Sequence, residues 1–245
     1  MKSSRTIASK GMQHPFRGLL AAVGLTAFAL LATSPALADE ERGRAIAEAA
    51  HERGSGFGDL SATAVMLLRT ANGQEAERAL SIRILDLPGE AGRGLTIVES
   101  PRDVRGTALL THTDESGAQD QWLYLPATSR TRRIASENRS GAFMGSEFSY
   151  DDFSAQTPSR YNFRFLRDEK LDGVECHVLH REEIDGLPGH QIVWMDTEHL
   201  RLQRVEFFDA RGNPQRTLTV SDYRSYEGPG GREYWRADAL LMENV

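Results

Sequence analysis

Few side chains in this sequence are spaced for covalent chemistry. Cys176 is the single cysteine and has His177 beside it, but neighbours on a strand point to opposite faces, so the two do not converge as nucleophile and base. Its alternation with Val174 and Val178 predicts a buried structural thiol instead. There is no G-x-S-x-G elbow, and Ser146 and Ser149 have no histidine near them in sequence. His177 and His180 fall three apart on a predicted strand, hence on opposite faces, while Glu182, Glu183, His190 and His199 lie in predicted turns without a zinc spacing. Glu147 and Asp151 would share a helical face, yet acids placed there read better as the solvated first turn of a helix. The chain is therefore expected to have no catalytic residue, no metal and no cofactor, and not to be an enzyme.

What remains is chemistry of binding. Arg130, Arg132, Arg133 and Arg139 form a basic cluster able to hold oxyanions, either a lipid phosphate or the acids of a partner protein. A second set is apolar and aromatic: Phe143, Met144, Phe148, Tyr150 and Phe153 crowd one Gly/Ser-rich loop. Flexible methionine and rigid aromatic rings together suit a disordered apolar ligand.

The elements that position these residues are mostly strands. Asp39 to Arg53 reads as a helix, with acids in its first turn, Ala45, Ile46, Ala49 and Ala50 at helical spacing, and Gly54 as its stop. From Leu60 onward the period becomes two. Leu80, Ile82 and Ile84 alternate with Ser81 and Arg83, and Tyr161, Phe163 and Phe165 alternate with Asn162 and Arg164. Asn72-Gly73, Asp172-Gly173 and Asp185-Gly186 mark hairpins. About eleven strands with hairpin-length connections predict one antiparallel up-and-down sheet. Twist curls a sheet of that size into an open half-barrel, whose apolar hollow needs a cover. The helix and the Phe143–Phe153 loop are the available covers, the latter as a short lid helix capped by Ser146.

The first forty residues carry an export signal. Lys2, Arg5, Lys10 and Arg17 precede an apolar run from Gly18 to Ala32, and Ala36-Leu37-Ala38 is an A-x-A site. The run is shorter than the ~20 residues of a membrane span. Residues 1–38 are thus expected to be a signal peptide cleaved after Ala38, leaving 39–245 as a single domain in the periplasm. That domain has 25 Lys+Arg against 35 Asp+Glu, a formal charge of −10, which argues against nucleic acid or an anionic membrane surface as its main partner.

Three stretches, in order, are G-T-A-L-L-T from Gly106, Q-W-L-Y-L-P from Gln121 and G-S-E-F-S-Y-D-D from Gly145. With them the chain from about Leu60 resembles the outer membrane lipoprotein-sorting protein family of the LolA/LolB-like superfamily. The resemblance implies a curved sheet lidded by helices, and a monomeric carrier that shuttles lipid or lipoprotein acyl chains between an inner-membrane exporter and an outer-membrane acceptor. It also implies strands beyond Val245. On this reading Met66, Leu68, Leu80, Ile82, Ile84, Leu109, Trp122, Tyr124, Phe163, Trp194 and Phe207 line the cavity. Phe143, Met144, Phe148, Tyr150 and Phe153 form the lid, and the arginine cluster flanks the mouth. Two rival readings are a periplasmic sensor that binds a membrane partner, and an envelope hydrolase.

Overall fold

Two antiparallel sheets of six strands each, both in chain order, make up the body of the protein in a computed structural model that describes residues 35–186 and 188–245. A helix, α1 (Pro35–Gly54), comes first. The first sheet runs β1 (Asp59–Arg69), β2 (Glu75–Asp86), β3 (Gly92–Ser100), β4 (Ala108–Thr113), β5 (Gln119–Leu125) and β6 (Arg130–Ile134). The second runs β7 (Tyr161–Leu171), β8 (Val174–Glu183), β9 (Gly189–Asp196), β10 (Leu202–Asp209), β11 (Pro214–Glu227) and β12 (Glu233–Asn244). The expected hairpins recur; at Asp172-Gly173 both residues take positive φ (47° and 91°), the primed turn that matches strand twist.

The single sheet of about eleven strands is corrected to twelve strands in two sheets. The break falls at residues 135–160, where 3-10 turns and Pro158 interrupt the ladder, so β6 pairs only with β5 and β7 only with β8. Nor does the ribbon close: β1 pairs with β2 alone and β12 with β11 alone. The signal-peptide assignment lies mostly in residues 1–34, outside the described residues. Its end at Ala36-Leu37-Ala38 falls within α1, which starts four residues before the predicted helix.

The core sits under α1. Tyr161, Phe163, Phe165, Leu179, Val193, Val205, Leu218 and Val220 present one face of the second sheet, and Ala47 packs into it from the helix. Gly43 is buried in the same interface, while Ala45, at the edge of the predicted apolar face, is exposed. Arg42 lays its guanidinium 3.4 Å from the centroid of Phe165 and pairs with Asp168 at 2.9 Å, which fixes the outer turn of the helix on β7.

The predicted lid helix does not form. Ser146 caps nothing helical: its hydroxyl donates to the Phe143 carbonyl at 2.7 Å and accepts from the Phe148 N–H at 3.2 Å. A small loop results, closed by a bridge between Ala142 and Ser149 and followed by a 3-10 turn at Asp151–Phe153.

Candidate functional site

Between the first sheet and β12 lies a trough of about 2550 Å³. Its main wall follows from strand register. Leu60 opposes Ile84, Ala62 opposes Ile82, Ala64 opposes Leu80 and Leu68 opposes Ala76, so the even-numbered residues of β1 and β2 share one face. All of these line the trough, together with Met66. On β1 the odd-numbered neighbours turn away, leaving Val65 at 66% and Leu67 at 54% exposure. The facing wall is β12, with Leu240 and Met242, and the ends are Phe148 and Phe153 on one side and Phe57 and Tyr234 on the other. Phe57 and Tyr234 meet edge to face with centroids 6.1 Å apart.

Farther along the same sheet face the character changes to polar. Thr96, Thr111, Thr113, Gln119 and Gln121 are all buried. Three of them bond the 135–160 segment. Gln121 Nε2 donates to the Tyr150 carbonyl at 2.8 Å and to Ser154 Oγ at 2.9 Å, Gln119 Nε2 to the Ala155 carbonyl at 2.6 Å, and Thr111 Oγ1 to the Phe153 carbonyl at 3.4 Å. This segment has no ladder of its own, so side chains satisfy its backbone. The result is a strap fixed across the first sheet.

The second sheet holds the strap from the other side. Arg216 pairs with Asp152 at 2.6 Å, donates to the Glu147 carbonyl at 2.8 Å and stands 4.2 Å over the Phe207 ring. From the strap's own end Arg160, with a side chain only 8% exposed, reaches Glu183 on β8, and also joins Asp151 at 2.9 Å and Gln119 Oε1 at 3.0 Å. Burial alone would lower its pKa, but Tyr161 and the two carboxylates outweigh that and hold it above its ordinary value.

The expected site residues divide between trough and elsewhere. Met66, Leu68, Leu80, Ile82 and Ile84 line the trough, and Leu109 lies on the same sheet face, 1% exposed. Trp122 and Tyr124 stand on the opposite face of that sheet, because β5 presents Gln121 and Leu123 inward. Phe163 and Phe207 belong to the core beneath α1, and Trp194 packs with Cys176 and Val178 on the other side of the second sheet.

Of the loop residues, Phe148 and Phe153 reach the trough. Phe143 is 1% exposed and packs at a tilt on Phe153 with centroids 4.4 Å apart, Tyr150 meets Phe143 edge to face, and Met144 holds a positive φ of 52°. The arginine cluster does not flank the mouth. Arg130, Arg132 and Arg133 sit on β6, the far edge of the sheet from β1; Arg133 pairs with Asp120 and Arg139 donates to the Gln119 carbonyl.

Sequence reasoning missed Leu60, Ala62, Ala64, Leu240 and Met242. The alternation in β1 contains the first three, whereas nothing local in β12 shows that it faces β1. Reactive groups lie elsewhere. Cys176 is fully buried, and burial, aided by Asp196, pushes its thiol up to about 11. Among the described residues no three His, Cys, Asp or Glu side chains converge as a metal site.

Comparison with known proteins fits this geometry. A family model described only as an uncharacterized protein matches residues 91–245. A solved domain from Vibrio parahaemolyticus, described as an outer membrane lipoprotein-sorting protein, is 42% identical over 84% of this chain and 86% of that one, with a TM-score of 0.79. A DUF1329 family protein from Desulfovibrio piger shares the fold at 22% identity over 84% of this chain and 86% of that one, with a TM-score of 0.74. So does a LolA superfamily protein from Nitrosomonas europaea, at 18% identity over 83% and 86% and a TM-score of 0.64. No curated protein sequence matches.

Proposed function

The chain belongs to the outer membrane lipoprotein-sorting protein family, and from that premise we propose that it is a LolA-like periplasmic carrier of lipid or lipoprotein acyl chains. The observation that supports this reading is the wall of Leu60, Ala62, Ala64, Met66, Leu80 and Ile82 facing an open trough of about 2550 Å³. An apolar wall of that extent on a protein's own surface is unfavourable unless something covers it. One acyl chain of roughly sixteen carbons gains on the order of 12 kcal/mol on leaving water, at about 0.8 kcal/mol per CH₂. The gain requires an enclosing hollow, and no bond is made or broken.

In this mechanism the chain slips between the edges of β1 and β12 and lies along the wall. Phe148 closes one end by movement of the Met144–Phe148 tip, which turns at the positive φ of Met144 and Gly145 and has to release the bond from Arg216 to the Glu147 carbonyl. The base of the strap stays in place on Gln121 and Arg216. Donor and acceptor are an inner-membrane exporter and an outer-membrane partner.

The test is to purify the protein from the periplasmic fraction of an expressing host, extract it with organic solvent and identify bound lipid by mass spectrometry. Stoichiometric lipid, or micromolar binding of a fluorescent fatty acid, is the expected result. Protein that comes out lipid-free and ignores the probe overturns the reading.

A further inference from the structure

The outer face of the first sheet is apolar where an exposed face should be polar. Two adjacent register rows cross it: Leu95, Leu110 and Trp122 in one, Ile97, Ala108 and Tyr124 in the next. Leu110 is 39% and Tyr124 38% exposed, and α1 packs on β7 rather than here. A contiguous aliphatic and aromatic patch of this kind marks an interface.

We propose that this face pairs with the same face of a second copy in a two-fold dimer. Self-complementarity along β3 supports a second copy over other occupants. In order, its outward residues are Arg93, Leu95, Ile97 and Glu99, with both charged residues exposed. A two-fold axis lying across the strands between the two rows sets Leu95 against the partner's Ile97 and Trp122 against the partner's Tyr124. The same operation brings Arg93 to the partner's Glu99, twice.

A shallow hollow of about 240 Å³ over β1 and β2 reaches Arg93, Leu95 and Leu110 and so borders the place where the partner's Ile97 would arrive. An anionic bilayer is the poorer occupant, since the outward Arg83, Arg93 and Arg133 are offset by Glu99 and Asp120, Arg133 is already paired with Asp120, and the domain's formal charge is −10. Strand spacing makes the face roughly 24 Å wide and roughly 20 Å long. That footprint, about 480 Å² on each partner, is the size of a weak, transient interface, so the dimer should form only at high concentration.

Sedimentation velocity on the processed protein, from about 1 to about 200 µM, tests this. The expected result is a shift from monomer to dimer across the series. Leu110→Asp should leave monomer throughout with an unchanged circular dichroism spectrum. Arg93→Glu should weaken the dimer at least about tenfold, the effect of one lost charge pair at each of two equivalent sites. Adding Glu99→Arg to that variant should restore it.

Monomer at every concentration overturns the proposal. So does a dimer that the Arg93 and Glu99 reversals do not affect. Binding to vesicles containing phosphatidylglycerol that Leu110→Asp abolishes, without any dimer, would assign the face to a membrane and equally overturn it.

Discussion

Gly43 and Phe165 touch through backbone: a Cβ atom at Gly43 would stand 2.7 Å from the Phe165 amide nitrogen. Helix and strand approach so closely because position 43 has no side chain. Gly43→Ala gains helix propensity, about 1 kcal/mol, but forces α1 off β7. Since the atoms it meets are backbone and cannot rotate aside, overpacking at the usual 1–3 kcal/mol should dominate. Urea unfolding should show a net loss of up to about 2 kcal/mol for Gly43→Ala and more for Gly43→Val.

Adjacent residues on β1 should behave oppositely. Both lie along the trough's edge strand, but Met66 shares the face of Leu60 and Leu68 and is half-buried, whereas Val65 alternates to the other face and is 66% exposed. Met66→Asp places a charge in the path of an acyl chain and should weaken fluorescent fatty-acid binding at least about tenfold, because a carboxylate in an apolar site is costly to desolvate. Val65→Asp should leave binding within about twofold, as expected of a surface change. Titration of the two variants side by side checks both the face and the register.

Removing Arg216 leaves the Asp152 carboxylate, 14% exposed, without its cation. Arg216→Met should destabilise the protein by about 3 kcal/mol, the usual penalty for orphaning a buried charge. Adding Asp152→Asn should recover part of that loss. Limited proteolysis offers a second readout, with the single variant cut within the strap.

Acid should loosen the turn after β9. Asp196 is 2% exposed; burial works to raise its pKa, but the Arg201 guanidinium and the His199 N–H overcome it and bring the carboxyl below its ordinary 3.8. A carboxyl depressed on folding stabilises fully above its unfolded pKa and loses that contribution as pH falls through the lower folded value. Stability should therefore hold from neutral pH down to that ordinary value and decline below it. The decline should be smaller in Asp196→Asn, as followed by urea midpoints against pH.

The thiol of Cys176 should not react with Ellman's reagent in the native protein and should give one equivalent after denaturation. Full burial and a pKa near 11 both suppress the thiolate. Reaction in the native state at a rate near that of a free thiol would show that β8 opens locally.

The strands, their hairpins and the helix were legible because period-two alternation and Asp-Gly or Asn-Gly pairs are local signals. The trough was legible only along β1 and β2, where the apolar face is also the inward one. On β4 and β5 the rule inverts. Thr111 and Gln121 point inward to serve strap carbonyls, while Leu110, Trp122 and Tyr124 point outward, so hydrophobicity selected the wrong face for the two aromatics. No local pattern could reveal that, since the inward polar residues answer a segment about thirty residues away. Nor could alternation show the break between the sheets, because β6 and β7 are ordinary strands that lack only each other.

No rung of backbone hydrogen bonds ties β1 to β12, although the two run along opposite banks of the same hollow. Parting the two banks would therefore break no ladder bond, only packing such as that of Phe57 on Tyr234 and Arg236. On the proposed carrier reading, ligands of different girth would be met by the spacing of the two banks rather than by repacking of side chains.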